Sequence, residues 1–170
     1  MKETVQEYMQ RMQKLTAGKN HVKVQAETAT KLQRLLNRVS AAKLRKRPAP
    51  DTWSVAEIVT HLADAEIAYS WRIRFILGAP GSPIQGFDQD GWVEAMHYEK
   101  RDPRQSLEQF RALREVNLAL YKRLTAEQWK QYGIHSERGE ESVERIVMLL
   151  AGHDLNHLAQ IEGILKSKKK

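Results

Sequence analysis

Two histidines near the end of the chain, His153 and His157, have the spacing of a metal-binding pair. Residues four apart on an α-helix project from the same face, one turn from each other, so both imidazoles can reach one metal ion. The surrounding run, residues 142–165, carries apolar residues at helical spacing, and both histidines fall within that stripe. The pair is therefore predicted to face other protein rather than open water.

A third histidine, His61, falls on the buried face of another predicted helix. That helix has the clearest start signal in the chain, because Ser54 can act as N-cap and Glu57, three residues later, as its capping-box partner. Three neutral imidazoles satisfy zinc and leave one position open for water or substrate, as in catalytic zinc sites. Nickel, iron(II) and manganese accept the same ligands. The three histidines are thus candidate ligands of a divalent metal.

The spacing by itself leaves a plainer interpretation open. A histidine on an apolar helix face is commonly a hydrogen-bonded core residue, and periodicity does not show that the two helices are neighbours. Asp154 follows His153 where the zincin motif has glutamate, so the general-base role of that glutamate cannot be transferred. The catalytic group itself, a metal-activated thiol or water, is not identified by these residues.

Five further residues are candidates for orienting a ligand or lining a pocket. Asp154 and Asn156 lie between the two histidines in sequence but off their face of the helix. Glu57 lies one turn before His61, and its role in the capping box already explains its presence there. Trp92 lies beside a long loop. His135 lies in a connection, like His97, and both are predicted to be surface or loop histidines rather than a fourth ligand.

Two arginines fall on helix faces that also carry apolar residues. Arg72 and Arg114 are expected to pair with buried acids such as Glu66, or to hold a carboxylate of the substrate. The ion pair is the plainer of the two interpretations.

Composition restricts the class of protein. A chain of 170 residues is most simply one domain. It contains no cysteine, which excludes disulfides, thiolate metal sites and a cysteine nucleophile, and fits a reducing cytoplasm. No apolar run reaches the length of a membrane span, so we expect an unprocessed protein with no membrane partner. The net charge of +7 is concentrated at residues 43–47 and 166–170, without a basic stripe interleaved with aromatics, so no nucleic-acid partner is expected.

Helical periodicity accounts for most of the chain. We predict a short helix within residues 1–16 and longer helices over about 21–40, 54–77, 103–124 and 142–165. About 25 residues, containing Pro80, Gly81, Pro83 and Gly86, separate the third helix from the fourth, which is enough to cross the length of a bundle. Residues 125–141 are predicted to be a linker, and no strand alternation is visible. The expected fold is all-α, a four-helix bundle with one long crossover plus a short N-terminal helix.

Four segments together resemble one family. They are WSVAEIVTHLADAE (53–66), FDQDGW (87–92), FRALR (110–114) and HDLNHLAQI (153–161). In this order they are similar to the DinB/YfiT-like superfamily, over about residues 24–165. The whole chain is then one DinB-like domain: an N-terminal helical extension (1–20), the bundle (24–165) and a basic tail (166–170).

The resemblance implies a homodimeric bundle that holds a divalent metal through one histidine of its second helix and two of its last. Matched residue by residue, these are His61, His153 and His157. Characterised members of the family are thiol transferases and isomerases that use bacillithiol, mycothiol or glutathione. The family name refers to DNA-damage-induced expression and not to DNA binding.

The resulting hypothesis is an enzyme whose metal activates a low-molecular-weight thiol for transfer to a small electrophile. Because the chain has no cysteine, the sulfur would come from the cosubstrate. Hydrolysis by a metal-bound water, and a non-catalytic helical module with core histidines, remain the two alternatives.

Overall fold

The computed structural model describes residues 3–167, most of which are helical. The helices are α1 (Val5–Thr16), α2 (His21–Leu36), α3 (Ala41–Arg45), α4 (Val55–Gly78), α5 (Gln89–Ala95), α6 (Pro103–Tyr121), α7 (Ala126–Lys130) and α8 (Val143–Lys166). A 3-10 turn, Tyr98–Lys100, precedes α6. Lys166 closes α8, whereas Lys168, Lys169 and Lys170 of the predicted tail lie outside the described residues. Within 3–167, no helix combines the length and the apolar character that a membrane crossing requires.

The four long helices, α2, α4, α6 and α8, form the bundle. α4 packs along α6 and α8, and α2 packs along the same two helices. Thr60 bonds Ser106 at 2.9 Å near the start of α4 and α6, and Arg74 donates to Asn117 at 2.8 Å near their ends. These two helices therefore run in the same direction. The connection between them must return along the bundle, which confirms the predicted long crossover.

Side-chain caps fix where the helices begin. The Ser54 hydroxyl accepts from the Glu57 amide at 3.2 Å, and the Glu57 carboxylate accepts from the Ser54 amide at 2.8 Å, so the predicted capping box is present. Asp102 caps α6 ahead of Pro103, also as predicted. Two helices, α2 and α6, end earlier in the sequence than predicted. α2 stops at Leu36, two residues before Arg38 takes a left-handed conformation (φ 65°), and α6 stops at Tyr121.

The prediction that the chain has no strands was wrong, and residues 125–141, predicted as a linker, contain regular elements. This segment contains α7 and the strands β2 (Tyr132–His135) and β3 (Gly139–Ser142), which pair antiparallel, and β2 also pairs parallel with β1 (Pro83–Ile84). Strands this short show no alternation in the sequence. The close approach of β2 to β1 requires glycine at position 133, because a Cβ there would lie 2.7 Å from the Ile84 side chain and 3.0 Å from the Ser82 carbonyl oxygen.

Two apolar clusters close the ends of the bundle and leave a polar layer between them. One cluster surrounds the first turns of α4 and includes Ile58, Leu62 and Phe110; the other surrounds its last turns and includes Ile73 and Ile146. Every residue of α4 from 55 to 66 is buried. Polar side chains in this stretch must therefore find partners inside the protein.

The first helix is part of the packed structure rather than a separate extension. α1 lies along α8, where Met12 is fully buried against Gly152. Arg11 donates to the Asn156 side chain at 2.6 Å, which ties α1 to the helix that carries the histidine pair. α1 thereby reaches the functional region described next.

Candidate metal centre

The three predicted histidines meet in the polar layer between α4 and α8. His61, His153 and His157 are 1%, 7% and 8% exposed, and one ring nitrogen from each lies within 4.8 Å of the other two. The closest pair is His61 Nε2 and His153 Nε2, at 2.8 Å. The structure thus supplies what the spacing did not: the two helices are neighbours at this level of the bundle.

One of the three rings is oriented by a neighbour on its own helix. The His157 Nδ1 atom lies 3.0 Å from the Gln160 side-chain oxygen. An amide oxygen only accepts, so Nδ1 carries the proton and Nε2 keeps its lone pair. Trp53 packs beside the cluster, with its ring centroid 5.0 Å from that of His61 and 6.5 Å from that of His157. The tautomer and the plane of His157 are therefore both constrained.

Burial keeps these imidazoles neutral. Desolvation, assisted by the charge that His157 would carry, lowers the pKa of His61 to about 3. Desolvation likewise lowers the pKa of His153 well below its ordinary value, and that of His157 as well. A neutral imidazole offers a lone pair, whereas an imidazolium offers none. All three rings are thus in the form that can bind a metal.

The cluster fits a divalent cation better than it fits a closed hydrogen-bond network. Two imidazole nitrogens can share one proton, and here the His61 and His153 pair does so. Nδ1 of His153 is buried without a hydrogen-bond partner among the described residues. Converging neutral nitrogens with an open side are the donor set of catalytic zinc and related sites. Metal binding itself stays a prediction.

The histidines open onto a cavity of about 780 Å³. α1 contributes Tyr8 and Arg11 to its wall, α4 contributes Tyr69 and Arg72, and the segments 85–89 and 135–138 close the opposite side. The wall is therefore rich in polar and basic side chains. Its volume lies in the range that holds a small organic ligand rather than water alone.

Two of the five predicted orienting or pocket residues line this cavity. They are Asn156, held by Arg11, and His135, which lies on β2 and is 2% exposed. The prediction that His135 is a surface or loop histidine was therefore wrong; it is outside the three-histidine cluster but inside the same cavity. His97, in contrast, is exposed in a left-handed turn (φ 49°).

The other three candidates have different roles. Glu57 caps α4 and pairs with Arg47, and Trp92 packs on Phe87, which does line the cavity. Asp154 points away from the cavity. Its side chain is fully buried and accepts from Arg114 at 2.6 Å.

Arg114 forms a buried ion pair, which was the plainer of its two interpretations. Its guanidinium donates to Glu66 at 2.7 Å and to both oxygens of Asp154, and all three residues are at most 1% exposed. Burial alone would lower the pKa of Arg114, but the two carboxylates outweigh it and raise that pKa. This cluster holds α4, α6 and α8 together beside the histidines.

Sequence reasoning missed several residues of the cavity. Gln160 could have been found, because it lies three residues after His157 on the same helix. Tyr69 and Arg72 lie about two and three turns after His61 on α4, so their shared face was also readable. Nothing in the sequence signals that Tyr8 and Arg11 approach the histidines, since the docking of α1 is a long-range contact.

Comparisons with known proteins identify the family of this chain. Residues 26–161 match the model of the DinB superfamily. A protein of Oceanobacillus iheyensis, named as a candidate metal-dependent hydrolase, is 31% identical over 145 residues, which are 84% of this chain and 83% of that protein. YfiT of Bacillus subtilis, with the same kind of name, is 26% identical over 141 residues, 82% of this chain and 79% of its own.

Two solved structures share the fold. YfiT of Bacillus subtilis, described as "a probable metal-dependent hydrolase with an unusual four-helix bundle topology", superposes with a TM-score of 0.79 at 22% identity, covering 96% of this chain and 88% of YfiT. A mycothiol-dependent maleylpyruvate isomerase superposes with a TM-score of 0.68 at 10% identity, covering 83% of this chain and 59% of the isomerase. At these identities the likeness shows the fold alone, and it confirms the predicted four-helix bundle.

Proposed function

Because this chain belongs to the DinB superfamily, we propose that it is an enzyme whose divalent metal is held by His61, His153 and His157. The observation that carries the proposal is the convergence of three buried, neutral imidazoles on the wall of a cavity large enough for an organic substrate. The names of the related proteins also support metal dependence. Zinc and nickel are the metals that this nitrogen set suits best, with iron(II) and manganese as alternatives.

The chain's own side chains orient and shield the three rings. Gln160 orients His157, Trp53 shields two of the rings, and burial keeps all three rings unprotonated. A divalent metal bound there would lower the pKa of a coordinated water or thiol to near neutrality and so supply a nucleophile.

Transfer of a low-molecular-weight thiol to a small electrophile is the leading reaction. The chain has no cysteine, so sulfur chemistry requires a thiol cosubstrate, and the cavity of about 780 Å³ has room for one beside an electrophile. The fold shared with a mycothiol-dependent enzyme is consistent with this reaction. Bacillithiol, mycothiol and glutathione are the thiol types to consider.

Hydrolysis is the second candidate, and the names of the related proteins favour it. It would use the same three histidines with water as the nucleophile. Two parallel assays of metal-loaded protein separate the two reactions: a generic electrophile, monochlorobimane, with glutathione or cysteine, and an ester substrate without thiol. Conjugation faster than the reaction without protein supports transfer, and thiol-independent turnover of the ester supports hydrolysis.

The metal is tested by replacing one ligand. Purified wild-type protein loaded with zinc or nickel should contain about one ion per chain, and His157→Ala should contain almost none, by elemental analysis. His97→Asn is the matched control, because it removes an exposed histidine and asparagine tolerates the left-handed backbone there. Equal metal content in all three proteins would refute the site.

The non-catalytic alternative has its own signature. A purified protein without metal, with no rise in melting temperature on adding zinc or nickel, would indicate a helical module with core histidines. Homodimer formation, a cytoplasmic location and the absence of nucleic-acid or membrane partners stay predictions.

A further inference from the structure

We propose that Arg72 and His135 form a binding site for a carboxylate group of the substrate or cosubstrate, in the same cavity as the three histidines. The inference deepens the proposed function and rests on it for the reaction that the bound molecule undergoes. It assigns a substrate class, a small molecule that carries a carboxylate. Carboxylate binding at this site needs only the chain's own residues.

Arg72 is a buried cation without a carboxylate partner. Its side chain is 3% exposed, and its Nε donates to the Gln85 carbonyl oxygen at 2.9 Å. The guanidinium lies over the rings of Tyr69 and Phe87, at 5.2 and 5.5 Å from their centroids. No ion pair joins it to a carboxylate among residues 3–167. Tyr69 also forms a side-chain hydrogen bond with the guanidinium, so Arg72 is held by neutral groups only. A buried arginine is commonly paired with an anion, and a ligand carboxylate would supply one.

His135 provides a second donor in the same cavity. Its Nδ1 accepts from the Glu137 amide at 3.1 Å, so in the neutral ring the proton is on Nε2. That Nε2–H is buried and has no hydrogen-bond partner among the described residues. Burial lowers the pKa of His135, which favours this neutral form. A buried donor facing a cavity is what an anionic ligand would satisfy.

The three arginines of the cavity wall differ in whether a carboxylate compensates them. Arg138 is held by both oxygens of Glu141, and Arg11 by both oxygens of Glu3. Arg72 makes no such ion pair within residues 3–167, although the charge of Glu141 acts on it from nearby. The acidic residues on the same wall, Glu3, Asp88 and Glu137, are all exposed at its outer side. A monoanion therefore suits the site, and the planar guanidinium fork matches the two oxygens of a carboxylate.

The test compares benzoate with benzamide, which have the same shape and differ in charge. Saturation-transfer NMR on zinc-loaded wild-type protein should show benzoate binding that is at least about tenfold tighter than benzamide binding. Arg72→Gln should weaken benzoate by about tenfold or more and leave benzamide unchanged, and His135→Phe should weaken benzoate by a few-fold.

Arg74→Gln is the matched control, because it removes the same charge from an exposed position on the same helix. It should leave the benzoate affinity within about twofold of wild type. If Arg72→Gln fails to fold by circular dichroism, Arg72→Lys and His135→Phe decide: loss of benzoate affinity in both supports the site. Equal affinity for benzoate and benzamide in the wild type, or wild-type benzoate affinity in the Arg72 or His135 variants, would overturn it.

A metal-deficient protein separates this inference from the proposed function. His157→Ala should keep the benzoate affinity of the wild type, because Arg72 and His135 are untouched. If His157→Ala abolishes benzoate binding and Arg72→Gln does not, the carboxylate binds at the metal and the inference fails while the metal site stands. If no metal binds but benzoate still depends on Arg72, the proposed metal centre fails and the carboxylate site stands.

Discussion

The bundle contains two buried polar clusters that share helices α4 and α8 and differ in how their atoms are hydrogen-bonded. In the Arg114 cluster, all four oxygens of Glu66 and Asp154 accept hydrogen bonds, from Arg114, Asn117 and Thr28. In the histidine cluster, one bond joins two rings, and Nδ1 of His153 has no partner in the described part of the chain. His153 and Asp154 are neighbours in sequence, so the difference arises over a single residue of α8.

This difference separates a structural role from a ligand-binding role. A buried carboxylate is tolerated because a cation and hydrogen bonds compensate its desolvation, and such a cluster has little left to offer a ligand. The histidines carry no charge that needs compensation, because burial keeps them neutral, and their rings line a cavity. Arg114 Nε is also buried without a partner among the described residues, so the two clusters differ in charge and in access to a cavity, not in unsatisfied atoms alone.

The largest effect on stability is expected from removing the cation of the Arg114 cluster. Arg114→Met would leave Glu66 and Asp154 buried without their cation, so the free energy of unfolding should fall by about 3–5 kcal/mol. Urea denaturation followed by circular dichroism measures it. Arg111→Met, at a half-buried position one turn earlier on α6 that pairs with Glu108, is the control and should change stability by about 0.5 kcal/mol or less. A loss for Arg114→Met no larger than that of the control would contradict the structural role.

A smaller effect on stability is expected where α1 packs on α8, beside the histidine cluster. A Cβ on Gly152 would lie 2.9 Å from the backbone oxygen of Met12, so Gly152→Ala must push α1 away from α8. We expect a loss of about 1–3 kcal/mol, from overpacking. The control is on the same helix: a Cβ on Gly163 meets nothing within 4 Å, and Gly163→Ala should stabilise by up to about 1 kcal/mol.

Gly152→Ala should also affect the two polar clusters differently. Because Arg11 and Tyr8 reach the cavity from α1, displacing that helix should alter ligand binding at the histidine cavity. The Arg114 cluster has no member on α1 and should be unaffected. A stable Gly152→Ala protein with unchanged melting temperature would mean that α1 is loosely docked.

The helices and their caps were predictable because their signals are local. The Ser54 and Glu57 capping box needs four residues, and helical periodicity placed His61, His153 and His157 on buried faces. The same local signals identified the candidate ligands. These signals do not show that α4 and α8 are neighbours. The family resemblance implied it, and the 2.8 Å distance between His61 Nε2 and His153 Nε2 shows it.

The parts that were missed depend on contacts between distant segments. The strands β1 and β2 are short and pair across about fifty residues, so neither has a pattern of its own. That pairing is what buries His135, which the sequence places in a connection. The docking of α1 is equally non-local, since it depends on the fit of Met12 to Gly152. Local periodicity thus predicted the bundle and one wall of the cavity, and long-range pairing made the opposite wall.

The smallest effect is expected from acid, and it should act on the histidine cluster first. The pKa of His61 is about 3 in the folded protein and about 6.5 in an unfolded chain, so below pH 6.5 the unfolded state takes up a proton that the folded state refuses. Stability of the metal-free protein therefore falls as pH falls through this window, by up to about 1.4 kcal/mol per pH unit for each such histidine. His61→Leu should reduce the slope between about pH 5.5 and 4.5 by about that amount, in urea titrations at each pH. Parallel stability curves for the two proteins would mean that His61 accepts a proton within the fold, and the neutral cluster that distinguishes this site from the Arg114 network would not exist.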